Sequence, residues 1–304
     1  RWDTVAKPLG SLGLLEDMVV RLAGLTGGDL DISKRAVVVF CADNGVLEEG
    51  VAMTPGEITA MMTRFIVEGR SSVCVMAKAA GADIIPVDMG MFTRIDAPGL
   101  MDRRVADGTD HLAKGTAMNR GEALPAHQTG NYVRRGCQEK GYKRLAPGEM
   151  RIGTATSSSA MASVFLGRDV EDMAGRGVGL TDEGLARKQN AIRRAIETNG
   201  PDPDDALDVL AKVGGFDIAG ICGLFIGGAL YGIPVLVDGF ISSVAALTAQ
   251  RLCPRSKNAM VASHLSKEPA AGYVLEALGL NPIICAQLRL GEGTGAVAPL
   301  PLMD

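Results

Sequence analysis

The chain has 304 residues, 47% of them hydrophobic and 22% charged, with a formal net charge of −4. That length suits one large α/β domain, or a main domain with a smaller lobe, and is ample to bury a core. The negative balance argues against a nucleic-acid binder, whose phosphate contacts need clustered Lys and Arg. Glycine accounts for 39 residues and aromatics for only 4%, against a usual glycine share of about 7%. Such a chain has many tight strand–helix turns and close backbone approaches. The cysteines (Cys41, Cys74, Cys137, Cys222, Cys253, Cys285) are scattered without a C-x-x-C pair, which fits reduced thiols in a cytoplasmic protein better than disulfides or zinc.

The first element is an amphipathic helix over residues 12–25, entered by the turn Lys7-Pro8-Leu9-Gly10-Ser11 with Ser11 placed to cap it. Residues 36–41 are β-branched and free of charge, which predicts a parallel strand covered on both faces. Ala42-Asp43-Asn44-Gly45 follows at once. Thr54-Pro55-Gly56-Glu57 opens a helix: a capping Thr, Pro at the first helical position and Glu three residues after the Thr. Ile58, Met61, Met62, Phe65 and Ile66 continue it at helical spacing. A further helix spans 72–80 and stops at Gly81. Residues 84–89 form the next strand, with Pro86 favouring an edge or a short strand.

Gly148-Glu149-Met150-Arg151-Ile152-Gly153-Thr154 runs from a short strand into a hydroxyl-rich helix start, where backbone N–H groups and the helix dipole suit a phosphate. Turn and capping roles are the plain alternative for such Gly, Ser and Thr residues. Gly175-Arg176-Gly177-Val178-Gly179 looks like a dinucleotide fingerprint, but lacks the preceding strand and the acidic residue, so a nicotinamide cofactor is rejected. Residues 218–237 are broken by glycines and Pro234 and read as a buried helix, a turn and a buried strand, not a membrane span. Residues 260–262 give another strand. No signal peptide is visible, although the first residue is Arg1 and not Met. Helices alternating with apolar strands predict an α/β fold with a mainly parallel sheet.

Near the end, an apolar, strand-like run over 282–286 leads into Leu288-Arg289-Leu290-Gly291-Glu292-Gly293-Thr294-Gly295. Open α/β sheets place their chemistry at such strand ends, and glycines on both sides let the backbone approach a ligand. Glu292 is therefore a candidate general base. The alternative is a Gly-rich turn with a solvated glutamate.

Taken in order, Lys7-Pro-Leu-Gly-Ser-Leu-Gly-Leu-Leu-Glu16, Ala42-Asp-Asn-Gly-Val46, Gly148-Glu-Met-Arg-Ile-Gly153 and Gly175-Arg-Gly-Val-Gly-Leu180 are followed by Val237-Asp-Gly-Phe240, Ser263-His-Leu-Ser-Lys-Glu-Pro269 and Leu288-Arg-Leu-Gly-Glu-Gly-Thr-Gly295. This series resembles the nicotinate-nucleotide:dimethylbenzimidazole phosphoribosyltransferase (CobT) family of cobamide biosynthesis over essentially the whole chain. The resemblance implies a Rossmann-like sheet over residues 30–285. It implies a smaller helical lobe from 1–29 plus 286–304, which carries the catalytic C-terminal loop. The working unit would be a dimer, of identical or related chains. The reaction implied moves a phosphoribosyl group from nicotinate mononucleotide to the aromatic base that becomes a cobamide lower ligand. Nicotinate leaves as a neutral ring, so neither metal nor cofactor is expected.

By the same resemblance Glu292 is the base that deprotonates the incoming N–H or O–H. Ile152, Gly153 and Thr154 would hold the phosphate, with Lys188 and Arg289 adding charge. Asp238 would meet the ribose hydroxyls, with Ser266 and Gly291 beside it. Lys188 on an exposed helix face and Asp238 as a strand-end cap are the bland alternatives. Ala52, Met53 and Ala60 fall on the family's base-pocket stretch. Benzimidazole-using members tend to carry Ser and Gln where Ala52 and Ala60 stand. An unpaired second ring nitrogen would cost about 1–3 kcal/mol, so this wall favours phenol or p-cresol, the acceptors of a branch (ArsA/ArsB) whose chains work in pairs. Arg151, Leu265 and Ala271 are further departures. Two other readings stand beside this one: a non-catalytic partner subunit, against which Glu292 and Arg289 argue, and a nucleotide-dependent oxidoreductase on the same sheet type.

Overall fold

The computed structural model describes residues 4–28, 30–31, 33–52, 57–150, 152–177 and 179–304. The readings at Thr54, Pro55 and Gly56, and those at Met53 and Arg151, lie outside them. The chain begins with α1 (Leu14–Thr26), β1 (Arg35–Ala42), α2 (Glu57–Val67), α3 (Ser72–Ala79), β2 (Ala82–Gly90) and the short β3 (Met101–Asp102). It continues through α4 (Arg120–Glu139), β4 (Arg144–Met150), α5 (Thr154–Leu166), α6 (Val170–Met173), α7 (Asp182–Asn199) and α8 (Ala206–Val213). Then come α9 (Phe216–Leu230), β5 (Val235–Val237), α10 (Phe240–Leu252), β6 (Met260–Ala262), α11 (Ala271–Leu278) and α12 (Thr294–Val297). The six strands form one parallel sheet in the order β3-β2-β1-β4-β5-β6. No helix of the described residues is long and apolar enough to cross a membrane.

β1 shows why its sequence carries no polar alternation. Val38 and Phe40 face one apolar layer, with Val133 of α4 and Ile221 and Phe225 of α9. Val37, Val39 and Cys41 face the other. That second layer is built from Met18 and Leu22 of α1, Ile66 of α2, Val73 and Ala77 of α3, and Val297, Leu300 and Met303 near the C-terminal end. The two ends of the sequence thus cover the same face of the sheet as α2 and α3.

Three local expectations need correction. α1 is not capped by Ser11: Gly13 is its N-cap residue and makes no side-chain cap, while Glu16 accepts the Leu12 N–H at 3.4 Å and pairs with Lys7 at 2.5 Å. Residues 282–286 form no strand among the described residues; they touch β6's extension only through the isolated bridge between His264 and Ile284. β2 is nine residues long and lies inside the sheet. Pro86 is tolerated because Asp88, of the same parity, presents its carbonyl to Arg103 on the β3 side, and β3 pairs only with Val87 and Asp88. The missing N–H of Pro86 therefore falls where no neighbouring strand needs it.

α9 is buried along almost its whole length and must approach both the sheet and α4. Glycines make that approach. A Cβ on Gly220 would lie 2.7 Å from the Phe40 ring, one on Gly223 would lie 1.9 Å from the His127 carbonyl oxygen, and one on Gly130 of α4 would lie 1.9 Å from the Gly220 carbonyl oxygen. At Gly223 and Gly130 backbone meets backbone, so no side chain can yield. Gly223→Ala gains about 1 kcal/mol of helix propensity, but overpacking costs about 1–3 kcal/mol or more. Net destabilisation is expected. Gly24→Ala, on α1 with nothing within 4 Å of the new carbon, is expected to stabilise slightly. Paired denaturant titrations that gave the two substitutions the same sign would contradict this account of the packing.

Candidate active site

The chain leaves β1 toward β2 on one side and later returns to β4 on the other. Loops following β1 and β4 therefore diverge, which opens a crevice at the carboxyl edge of the sheet. A cavity of about 350 Å³ lies there, walled by the ends of β4, β5 and β6, by α7, and by residues 288–292. Residues 43–46, directly after β1, are not on its wall. Asp43 accepts the Phe92 N–H at 2.8 Å and Asn44 accepts the Thr109 hydroxyl at 3.0 Å, so this motif ties neighbouring loops together.

Glu292 sits in the left-handed region at φ 63°, between Gly291 at 87° and Gly293 at 97°. A side chain there costs roughly 1–2 kcal/mol, which the surroundings must offset. Packing fixes it. A Cβ on Gly148 of β4 would lie 2.2 Å from the Glu292 carbonyl oxygen, and one on Gly293 would lie 3.1 Å from the Gly148 Cα. The Glu292 residue is only 8% exposed. Its Oε2 accepts the Val73 N–H at the start of α3, at 3.2 Å. Burial pushes the carboxyl's pKa up, opposed by that N–H and by the Ser71 hydroxyl. Such a group takes up a proton more readily than a solvated carboxylate.

The opposite wall is suited to an anion. Gly153, at φ 91°, caps the start of α5, and Thr154, Ala155 and Thr156 bring the first turn of that helix to the cavity. Lys188 is buried, not on an exposed helix face, and its Nζ donates to the Gly175 carbonyl at 2.9 Å. Burial pushes the amine's pKa down to about 8, with Glu268 pulling the other way. Between the two walls, Asp238 accepts the Ala296 N–H at 2.6 Å. Burial raises the Asp238 carboxyl and lowers the His264 imidazole, each against the pull of the other.

Glu292, Ile152, Gly153, Thr154, Lys188, Asp238, Ser266, Gly291 and Ala52 all line this one cavity, with Arg289 exposed at its rim. Ala60 does not: it is buried on α2, away from the lining. Sequence reasoning passed over Glu149, His264 and Glu268, which line the cavity from within motifs already singled out. It had no means of finding Val73, because that contact joins residues 219 apart.

An open parallel sheet, with a helix start suited to an anion and a buried carboxylate across one crevice, has the layout of a phosphosugar transferase. The whole chain, residues 1–304, matches a family model whose description reads Phosphoribosyltransferase. It belongs to the family of the nicotinate-nucleotide–dimethylbenzimidazole phosphoribosyltransferases. The protein of that name from Acetivibrio thermocellus is 46% identical over 305 residues, spanning 100% of this chain and 87% of the relative. That from Escherichia coli (strain K12 / DH10B) is 42% identical over 304 residues, spanning 99% and 85%. The crystal structure of CobT from Thermus thermophilus superposes with a TM-score of 0.95 at 39% identity, covering 99% of this chain and 91% of that one.

Gly148→Ala tests the seat of Glu292. The new carbon must displace the Glu292 backbone, and misplacing a catalytic group by about 1 Å costs about 10²-fold. Phosphoribosyl transfer should fall by about that factor while circular dichroism shows a folded protein. Unchanged turnover would mean that the loop position is not critical.

Proposed function

We propose that this phosphoribosyltransferase moves the phosphoribosyl group of nicotinate mononucleotide to an aromatic base, yielding an α-riboside phosphate and nicotinate. The observation that carries this reading is the opposition, within one cavity, of a buried carboxylate on Glu292 and the N-terminal start of α5 with the buried Lys188. The phosphate lies on Ile152, Gly153 and Thr154, with Lys188 and Arg289 supplying charge. Asp238, Ser266 and Gly291 border the ribose. The acceptor rests against Val51, Ala52, Ile58 and Met62. Its nitrogen or oxygen bonds to the anomeric carbon from the face opposite nicotinate, and Glu292 takes its proton. The departing ring keeps the electron pair of the broken C–N bond and leaves neutral.

The apolar acceptor wall favours a nucleophile with one polar atom, so phenol or p-cresol is preferred over dimethylbenzimidazole. Of the two alanines on which that preference rests, Ala52 lines the cavity and Ala60 does not, so Ala52 alone supports it. The working unit is a cytoplasmic dimer, of identical or related chains. Exposed Tyr132 on α4 and Leu230 on α9 support such an association.

The deciding experiment incubates the chain with nicotinate mononucleotide and a mixture of phenol, p-cresol and dimethylbenzimidazole, then identifies the ribotide by mass. A phenolic ribotide is expected in excess, and Glu292→Gln should lower turnover about 10²–10⁴-fold. A benzimidazole ribotide in excess would overturn the acceptor preference, and near-normal turnover by Glu292→Gln would overturn the base.

Lys188 adds a pH dependence. An amine whose pKa is lowered to about 8 carries its charge below that pH and loses it above, so the KM for nicotinate mononucleotide should rise as pH passes through about 8. Bound phosphate raises the amine's pKa, so the corresponding limb in kcat should lie at higher pH. A KM flat to pH 9.5, on the order of a unit and a half above that value, would remove Lys188 from phosphate binding.

A further inference from the structure

The first turn of a helix leaves N–H groups without intrahelical partners, and a cap side chain usually meets them. α3 departs from this rule. Its N-cap residue is Ser71, yet Ser71 makes no side-chain bond to the helix backbone. The Ser71 hydroxyl donates instead to Cys74 Sγ, 3.2 Å away, and also acts to lower the pKa of the Glu292 carboxyl. The N–H of Val73 goes to Glu292 Oε2, at 3.2 Å. The carboxylate that caps α3 thus arrives from the far end of the sequence, on a residue held at positive φ. Oε1 makes no hydrogen bond to a backbone N–H among the described residues.

We propose that the N-terminal turn of α3, with Ser71 as its positioning residue, assigns the two oxygens of Glu292 different tasks: Oε2 is anchored to the helix and Oε1 is left to receive the acceptor's proton. This rests on the reading of Glu292 as the general base. A helix N-terminus favours the anion, while burial disfavours it. The turn therefore keeps the base ionised before the acceptor arrives and fixes the direction in which its free oxygen points. Other charged groups around the cavity are Glu149 from β4, Arg176 from the loop before α7, Asp238 after β5 and His264 after β6. Arg289 lies on the base's own loop, and Lys188 and Glu268 stand on the far wall. α2 presents apolar Ile58 and Met62, and α3 presents Cys74 and no charge. Among the described residues, the groups that favour the Glu292 anion both belong to the α3 turn: the Val73 N–H on Oε2 and the Ser71 hydroxyl.

The test is the acidic limb of kcat/KM for the acceptor, measured for Ser71→Ala, Ser71→Asp and Ser71→Thr beside Glu292→Gln. Ser71→Asp places a like charge on the same helix start and should move the limb up by about one pH unit, and Ser71→Ala by about half a unit. Ser71→Thr keeps the hydroxyl and should restore the original limb. The KM for nicotinate mononucleotide should change by less than about twofold in all three, since Ser71 is not part of the cavity lining around α5 and Lys188 and separated sites act independently. If Ser71→Asp does not fold, Ser71→Ala carries the test. Ser71 variants that lower the rate equally at every pH, or leave the limb in place, overturn the inference. If Glu292→Gln itself keeps the limb, the base assignment fails first; if Glu292→Gln abolishes it and the Ser71 variants do not move it, only the α3 assignment fails.

Discussion

Three consecutive left-handed residues, Gly291 to Gly293, lie against β4 because Gly148 has no side chain to keep them away. From that contact the rest of the site follows. It sets Glu292 at the start of α3 and brings the Ala296 N–H onto Asp238 at the end of β5. It also seats Gly295 against His264, where a Cβ would come within 1.8 Å of the imidazole. One short segment near the C-terminal end therefore joins β4, β5, β6 and α3 around the cavity. The positive φ at Glu292 is a local cost that these contacts together outweigh.

Burial sets the electrostatics. Taken out of water, carboxylates rise in pKa and amines fall, and both movements occur here, at Glu292 and Asp238 on one hand and Lys188 on the other. Each group is poised nearer neutrality than it would be at the surface. For a general base that is the useful range, since the proton must be accepted and later released. For Lys188, in the phosphate-binding role proposed for it, this is tolerable because a bound anion would restore its charge.

The sheet was legible because its evidence is local. The apolar runs at 36–41, 235–237 and 260–262 carry no charged residue, and each forms a buried strand. The glycine-broken run at 218–237 reads as a helix and a strand because no bilayer-length stretch survives its breaks. The run at 282–286 misleads for the same reason that short apolar stretches generally do: periodicity cannot separate a strand from an irregular segment that merely packs. Ser11 misled as a cap because Glu16 reaches back to the Leu12 N–H. At the site, single loops gave up their residue types, but not their partners. Glu149 lies against Gly291, and the Glu268 carboxylate lies against Gly175. Neither pairing leaves a trace in the spacing of residues along the chain.

The central claim is geometric: one cavity holds the phosphate on the α5 side and the proton acceptor on the α3 side. It is tested most directly by a crystal structure of Glu292→Gln with nicotinate mononucleotide bound. The account predicts phosphate oxygens on the backbone of residues 152–155 and on Lys188 Nζ, with the anomeric carbon turned toward residue 292. A phosphate bound away from that loop, or an anomeric carbon facing away from residue 292, would contradict it.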